Sequence, residues 1–371
     1  MHDPRLKRLA QVLVNDSCRV QPGECVMLRV KGGQTALACA LVDAVYEAGG
    51  HPFLRMEDSV AMRSVIRGAN EQTMRLWEAQ DNALFGAMQA FISIDASNNS
   101  AEHSDIPPQQ MRLWSKLYAQ TVYGQTVTEG TRWVLCGYPT AAAAQAAGMS
   151  TEAFEDLFFG VCCLDYRKMS AAMDPLADLM AATDRVRIAG PGTDLTFSIQ
   201  GLPVIKCDGQ NNIPDGEIYT APVRDSANGE ITYNTPSLYH GKAFESVRFV
   251  FRDGRIIEAT GSDAVGINEI LDTDEGARYL GEFALGVNPL LTRPMRDTLF
   301  DEKIAGSFHL TPGKAYESCD NGNRSAIHWD LVCRQESACG GGEIWFDDVL
   351  VRKDGRFVLP QLAGLNPENL M

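Results

Sequence analysis

The chain is poor in basic residues and in histidine. Among its 371 residues, 33 lysines and arginines stand against 48 aspartates and glutamates, which gives a formal net charge of −15, and only six residues are histidine. Such an acidic protein repels phosphate backbones and anionic membrane surfaces. No stretch approaches the ~18 apolar residues that a bilayer span needs. The composition therefore argues against nucleic acid and membranes as partners.

Several signatures of catalysis and cofactor binding are also missing. The sequence contains neither GxGxxG nor GxxxxGK[ST], and it has no GxSxG motif around a nucleophilic serine. The turn at residues 31–35, Lys-Gly-Gly-Gln-Thr, is therefore interpreted as an ordinary turn between a strand and a helix. We expect no cofactor-binding residues for an organic cofactor and no nucleophilic peptidase chemistry.

Ten cysteines are scattered without any CxxC spacing. The adjacent Cys162 and Cys163 lie in an apolar segment, where a free cysteine packs as a small hydrophobic residue. The first seven residues carry charges but no apolar segment of the secretory type. These features favour reduced thiols and a cytoplasmic location.

The length and the spacing of apolar runs predict two domains, 1–186 and 187–371. In the first half, short apolar runs at 24–30, 51–56, 90–95 and 131–139 alternate with helical stretches such as 35–48 and 70–87. This alternation is typical of a parallel sheet covered by helices. Short alternating strands and turns follow residue 186, with a helix near 263–280. The expected fold is an α/β N-terminal domain with a mostly parallel sheet, plus an α+β C-terminal domain.

The second half contains six side chains of the kinds that bind metals, each in a turn-rich or strand-like stretch: Glu217, Glu282, His309, Tyr316, His328 and Asp330. Side chains alternate along an extended strand, so His328 and Asp330 point to the same face. A His-x-Asp pair on a strand is equally compatible with a solvated edge. The pair alone therefore leaves both interpretations open.

The sequence segments around these positions resemble those of the aminopeptidase T and aminopeptidase S family of cytosolic metallo-aminopeptidases. The segments that carry the resemblance, in order, are NIPDGEIYTAP at 212–222, GEFALG at 281–286, GSFHL at 306–310, AY at 315–316 and SAIHWD at 325–330. The similarity spans most of residues 185–357 and extends more loosely through the first half. The chain departs from the family pattern mainly in the loop 317–327, so the resemblance does not carry over the substrate preference.

The resemblance implies a dinuclear metal site and an exopeptidase. It assigns two divalent ions, from among Zn, Co, Mn and Mg, to Glu217, Glu282, His309, His328 and Asp330, with Tyr316 beside them. It also implies a homodimer whose N-terminal domains control access to the site. The expected substrates are short peptides with a free N-terminus.

The chemistry of such a site is consistent with these residue types. Divalent ions accept imidazole and carboxylate ligands, and a carboxylate can bridge two ions. Bound ions lower the pKa of water from ~15.7 toward ~7 and polarise a carbonyl. Glu282 is the candidate bridge or general base, and a phenol at Tyr316 could donate to an oxyanion, pack beneath the ligands or bind a metal itself. His240, in a loop, is a weaker candidate for the site.

Two other functions remain open at this point. Dihydroxypyridine ring-cleaving dioxygenases have the same expected fold with a mononuclear iron site, which here would be His309, His328 and Asp330. Glu217 and Glu282 would be superfluous in such a centre. A non-catalytic small-molecule binding protein is the lesser alternative.

Overall fold

The computed structural model describes residues 3–99, 101–239 and 241–371. The chain divides into two compact units: the first comprises Met1–Cys163 and Gly209–Pro214, and the second Leu164–Asp208 and Asp215–Met371. The domain division at residue 186 stays a prediction. The helix Tyr166–Ala182, on the N-terminal side of that position, belongs to the second compact unit.

The first unit is built on a parallel sheet. Its strands before residue 164 are β1 (Cys25–Lys31), β2 (His51–Glu57), β3 (Ala90–Asp95) and β4 (Arg132–Gly137). Its α-helices are α1 (Pro4–Gln11), α2 (Thr35–Glu47), α3 (Ser59–Gly68), α4 (Glu71–Phe85), α5 (Pro108–Trp114), α6 (Ala141–Ala146) and α7 (Thr151–Cys162), with π-helices at Val12–Ser17 and Ser115–Val127. The strand Asn212–Ile213, much later in the chain, pairs parallel with β4.

Strands β1 and β3 form where apolar runs are buried, as the interior of a parallel sheet requires, whereas β2 has no buried residue. Five of the six residues of β3 are buried. The helices α3 and α4 begin at the polar caps Asp58 and Asn70, whose side chains accept backbone N–H groups of the first helical turn. Among the described residues the strand order is β2-β1-β3-β4 followed by Asn212–Ile213. The chain thus reverses direction across the sheet between β1 and β3, which makes this a topological switch point.

The second unit is α+β. The strands from residue 185 onward are β5 (Arg185–Gly190), β6 (Thr193–Ser198), β7 (Ile205–Cys207), β8 (Asn212–Ile213, the strand of the first sheet), β9 (Glu217–Thr220), β10 (Asn228–Thr232), β11 (Ser237–Tyr239), β12 (Lys242–Phe244), β13 (Arg248–Arg252), β14 (Arg255–Thr260), β15 (Leu280–Gly286), β16 (Ser307–Pro312), β17 (Leu331–Arg334), β18 (Glu343–Phe346), β19 (Val349–Lys353) and β20 (Arg356–Phe357). The α-helices are α8 (Tyr166–Ala182), α9 (Ala264–Leu271), α10 (Thr298–Asp301) and α11 (Pro367–Leu370). Short 3₁₀ turns lie at Glu275–Arg278, Glu317–Cys319, Ser337–Cys339 and Pro360–Leu365.

Two antiparallel sheets form the core of the second unit. Over the described ranges their strand orders are β14-β13-β10-β6-β5-β18-β19-β20 and β17-β16-β15-β9-β7, and β11 pairs with β12. Every residue of β15 and of β16 is buried. Phe197 of the larger sheet packs edge-on against Phe283 of the smaller one, with ring centroids 5.0 Å apart. One face of the smaller sheet is therefore apolar core, and the other face carries its charged residues.

No helix in the described parts of the chain is long and apolar enough to span a membrane.

Candidate metal centre

The register of the smaller sheet brings the charged residues onto one face. Ala284 of β15 pairs with His309 of β16, and Gly286 pairs with Glu217 of β9. The side chains of directly paired residues lie on the same face of an antiparallel sheet. Glu282, two positions before Ala284 in β15, has its side chain on that face too. Gly286 must lack a side chain, because a Cβ there would lie 2.4 Å from the Ile304 carbonyl oxygen. The small residues at 284 and 286 leave room for the charged groups beside them.

Glu282 lies between two imidazoles. Its Oε1 is 3.4 Å from Nε2 of His309, and its Oε2 is 3.2 Å from Nε2 of His328. Glu282 and His309 are almost completely buried, at 3% and 1% exposure. Each oxygen of one carboxylate thus faces a different histidine.

His328 and Asp330 lie in the extended segment just before β17. Nε2 of His328 is 3.3 Å from Oδ1 of Asp330, so the two side chains point the same way, as the alternation predicted. Nδ1 of His328 lies 2.8 Å from the carbonyl oxygen of Lys314, and Thr311 donates its hydroxyl to Asp330 at 2.7 Å. With Nδ1–H donating to this carbonyl, loss of the second ring proton leaves the lone pair on Nε2, facing the carboxylates.

A second group of donors lies on the other side of His309. One ligand atom each from Glu217, Glu302 and His309 falls within 4.8 Å of the others, as do atoms of Glu282, His328 and Asp330 in the first group. Nδ1 of His309 is 3.8 Å from Oε2 of Glu217. The two groups are therefore adjacent and are linked by the contact between His309 and Glu282.

A buried lysine balances part of this negative charge. Lys303 is fully buried and forms ion pairs with Glu217, at 3.3 Å, and with Glu302. Burial alone would lower the pKa of Lys303, but the nearby carboxylates raise it well above its ordinary value. The lysine is therefore held as a cation among the carboxylates.

The electrostatics show how strongly the cluster attracts positive charge. Burial alone would lower the pKa of both histidines, yet the carboxylates raise the pKa of His309 to about 10 and of His328 to about 11. Burial opposes ionisation of Glu282 and Asp330, but the hydrogen bond with His309 lowers the pKa of Glu282 and the charge of His328 lowers the pKa of Asp330. Burial raises the pKa of Glu217 to about 8. The site is thus built to hold cations.

Unpartnered buried atoms indicate what kind of cation fits. Oε2 of Glu217, Nδ1 of His309 and Nε2 of His328 are buried and lack a hydrogen-bond partner among the described residues. Buried polar atoms are nearly always partnered, and carboxylate oxygens and imidazole nitrogens are ordinary ligands of divalent ions. The residues present therefore fit a divalent metal.

Tyr316 lies at the edge of the cluster. Its ring is tilted over that of His328, with centroids 4.6 Å apart, and the residue is 45% exposed. Desolvation of its hydroxyl and the charges of Glu282 and Asp330 raise its pKa above the ordinary value of 10.0. The hydroxyl therefore remains protonated and able to donate a hydrogen bond.

The structure brings together all five residues expected as ligands, with Tyr316 beside them, although their roles as ligands stay predictions. His240 lies outside the described residues. Sequence reasoning missed Glu302 and Lys303, because a run of charges is usually solvated. It also missed a neighbouring group formed by Cys207 and Asp215 with Glu217. The available signal was the position of Glu302 and Lys303 directly before an apolar and glycine stretch leading into the His309 strand.

Comparisons with known proteins give a consistent picture. The family described as thermophilic metalloprotease (M29) matches residues 2–357. The chain is 26% identical to aminopeptidase 2 of Geobacillus stearothermophilus over 95% of each protein. It is similar in structure to wild-type AmpT from Thermus thermophilus, with a TM-score of 0.80 and 21% identity over 96% of this chain and 99% of AmpT. A 2,5-dihydroxypyridine dioxygenase from Pseudomonas putida KT2440 matches with a TM-score of 0.65 and 13% identity over 96% and 98% of the two chains, which shows a shared fold.

Proposed function

Because this chain belongs to the thermophilic metalloprotease family M29, it is a metal-dependent aminopeptidase, and we propose that it releases N-terminal residues from short peptides at the cluster around Glu282. The observation that carries this assignment is the Glu282 carboxylate, which faces His309 with one oxygen and His328 with the other. The enzyme is a hydrolase of the exopeptidase class.

We propose that two divalent ions occupy the cluster. Glu217, Glu302 and His309 would hold one ion, and His328 and Asp330 the other, with Glu282 between them. Bound Zn, Co, Mn or Mg ions supply Lewis-acid polarisation of the peptide carbonyl and lower the pKa of water toward ~7. Six donors exceed the three protein ligands of a mononuclear iron site, which favours the peptidase over the ring-cleaving dioxygenase.

Three side chains of the cluster are suited to the other roles in the reaction. Glu282 is ionised and desolvated, so it is suited to accept a proton from the attacking water or to fix the two donor groups relative to each other. Tyr316 keeps its proton and lies at the edge of the cluster, so it is suited to donate a hydrogen bond to the oxyanion. Lys303 offsets the charge of Glu217 and Glu302 and holds both carboxylates in place.

A free amino terminus is the expected point of recognition. The chain carries a formal net charge of −15, and a cationic α-amino group is attracted to such an acidic protein. An acetylated amino terminus carries no charge and gains nothing from it. We therefore propose exopeptidase action on short peptides that have a free N-terminus.

A cytoplasmic location and a homodimer complete the proposal. All ten cysteines are free, which is consistent with a reducing compartment. The edge strand β2 exposes Phe53, Leu54 and Met56 at 39%, 48% and 43%. An apolar edge strand is a ready surface for pairing with a second chain, and it supports dimer contacts through the first unit. Sedimentation of the purified protein measures this directly.

Incubation of the purified enzyme with short peptides, their N-acetylated forms and unfolded casein tests the function. Mass spectrometry should show stepwise loss of N-terminal residues from the free short peptides alone, and the Glu282→Gln protein serves as a matched control. Internal cuts in casein, or equal cleavage of acetylated peptides, would rule out exopeptidase action. One iron per chain together with oxygen uptake on a dihydroxypyridine would instead support the dioxygenase.

A further inference from the structure

A cavity in the first unit is lined by residues between positions 29 and 123, far in sequence from the candidate metal ligands at 217–330. It has a volume of about 340 Å³ and is lined by the last residues of three neighbouring strands: Lys31 of β1, Glu57 of β2 and Asp95 of β3. This is the carboxyl end of the sheet at its switch point between β1 and β3. Open α/β sheets bind their ligands at this position.

The backbone ties these three strand ends together. Gly32, directly after β1, has a positive φ of 82°, and a Cβ there would lie 2.3 Å from the carbonyl oxygen of Ala96. Its N–H donates to the carbonyl of Glu57 at 2.9 Å, and the N–H of Ala96 donates to that of Lys31 at 3.3 Å. The floor of the cavity is therefore fixed before any ligand binds, which reduces the entropic cost of binding.

The charged groups of the floor form two ion pairs. Arg29 and Glu57 are 2.6 Å apart with side chains only 12% and 10% exposed. Lys31 and Asp95 are 3.0 Å apart and more open, at 28% and 40%. Two cations thus face two anions on the floor, and a further carboxylate of the lining, Glu102, lies 4.0 Å from Arg63. Such a surface favours neither a polyphosphate nor a simple cation, and it suits a small molecule that carries both charges.

The walls add unpartnered nitrogens and an apolar side. Trp114 and His103 are among the residues that line the cavity, and Nε1 of Trp114 and Nε2 of His103 are buried without a hydrogen-bond partner among the described residues. An indole N–H can only donate, so it requires an acceptor such as a carboxylate oxygen. Met62 and Ile66 provide an apolar surface on the same cavity.

We propose that this cavity binds a free α-amino acid with an apolar side chain. The carboxylate would accept from Trp114 and Lys31, the ammonium would pair with Asp95, and the side chain would contact Met62 and Ile66. A volume of 340 Å³ lies at the lower end of the ~300–1,000 Å³ typical of ligand pockets, so a single amino acid fits better than a dinucleotide. The inference is independent of the peptidase assignment.

Calorimetric titration of the full-length protein tests the proposal. L-leucine, L-methionine and L-phenylalanine are each titrated into the metal-loaded protein and into the same protein after chelation, which separates this cavity from binding of a reaction product at the metal centre. At least one amino acid should bind the chelated protein at one site per chain. N-acetyl-L-leucine, which lacks the ammonium, and 3-methylbutylamine, which lacks the carboxylate, should bind at least ~10-fold more weakly than L-leucine.

Two variants and one control locate the site. Lys31→Met and Trp114→Phe should each weaken amino-acid binding by at least ~10-fold, and Trp114→Phe keeps the aromatic ring so that folding is preserved. Lys7→Met changes an exposed lysine of α1 and should leave binding unchanged. Absence of saturable binding below about 10 mM for all three amino acids would overturn the proposal. Equal binding of the charge-deleted analogues, or normal binding by both cavity variants, would also overturn it.

Discussion

The ammonium of Lys303 lies 3.3 Å from a carboxylate oxygen of Glu217, and the two side chains are 0% and 8% exposed. The chain thus builds its own cation into a cluster that otherwise attracts metal ions. Burying a charge is costly unless it is paired, and removing one partner leaves the other unpaired. This relationship makes the lysine a structural requirement of the cluster.

Lys303→Met should therefore destabilise the protein strongly. The substitution keeps most of the side-chain volume but leaves Glu217 and Glu302 without their buried cation, at a cost of about 3–5 kcal/mol. Urea unfolding of the chelated protein, followed by circular dichroism, measures the change in the free energy of unfolding.

Lys353→Met is the matched control. Lys353 also pairs with a glutamate, Glu343, at 3.1 Å, but its side chain is 53% exposed. Solvent screens such a pair, so its loss should cost less than ~1 kcal/mol. Equal losses for the two variants would contradict the role assigned to Lys303.

Removal of metal should abolish activity. Dialysis against a chelator is expected to stop cleavage of aminoacyl-p-nitroanilides, and added Co²⁺, Mn²⁺ or Zn²⁺ should restore it. Elemental analysis of the active protein should find two ions per chain, because the donors form two adjacent groups. Full activity in the metal-free protein, or saturation at one ion, would contradict the dinuclear proposal.

Glu282→Gln should separate the two roles open to this residue. The amide keeps the shape of the side chain but removes its charge. If Glu282 is the general base, the substitution should reduce turnover by at least ~10²-fold with metal still bound. If Glu282 bridges the two ions, the substitution should lower the metal content. Near-normal kinetics with two ions retained would exclude both roles.

The sheet of the first unit could be predicted from local sequence. Its apolar runs at 24–30, 51–56 and 90–95 correspond to β1, β2 and β3 within one or two residues. A strand buried on both faces, such as β3, is recognisable as a short continuous apolar segment. The strand Asn212–Ile213 could not be predicted as part of this sheet. Two residues carry no periodic pattern, and their partners in β4, Leu135 and Cys136, lie 77 positions earlier.

Only part of the candidate site could be predicted from the sequence. His328 and Asp330 share a face through the alternation of an extended chain, which is a local rule. Glu302 and Lys303 follow no such rule, since Lys303 is buried by pairing with Glu217, 86 positions earlier. Only the folded chain shows that this charged run is internal.

Metal loading should release protons at neutral pH. In the metal-free protein the carboxylates raise the pKa of His309 to about 10 and of His328 to about 11, against an ordinary value of 6.5. Both imidazoles therefore carry protons at pH 7.5, and a metal must displace them. Calorimetry in buffers of different ionisation enthalpy should count about three protons released per chain, two from the imidazoles and most of a third from Glu217, whose pKa burial raises to about 8.

The raised pKa values of His309 and His328 also determine how the stability and the metal affinity of the protein change with pH. Because the folded pKa of each histidine is raised, its stabilisation of the metal-free protein is fully present below pH ~6.5 and is lost as the pH rises through about 10 to 11. The apparent metal affinity should rise over that range. His328→Gln should lower the proton count by about one, whereas substitution of the exposed His51 by glutamine should leave it unchanged. A pH-independent affinity would contradict this account.

Tyr316→Phe tests whether the phenol at the edge of the cluster takes part in the reaction. The tyrosine keeps its proton because its pKa is raised, and its ring contacts His328 rather than being sealed in the core. If the hydroxyl donates to the oxyanion, its removal should lower kcat by roughly 10²-fold while KM and metal content change little, since the interaction exists mainly in the transition state. Loss of metal would instead identify Tyr316 as a ligand, and unchanged kcat would leave it a packing role. Tyr219→Phe is the control, because the Tyr219 hydroxyl is engaged with Ser318 at 2.9 Å and should not affect kcat to a similar extent.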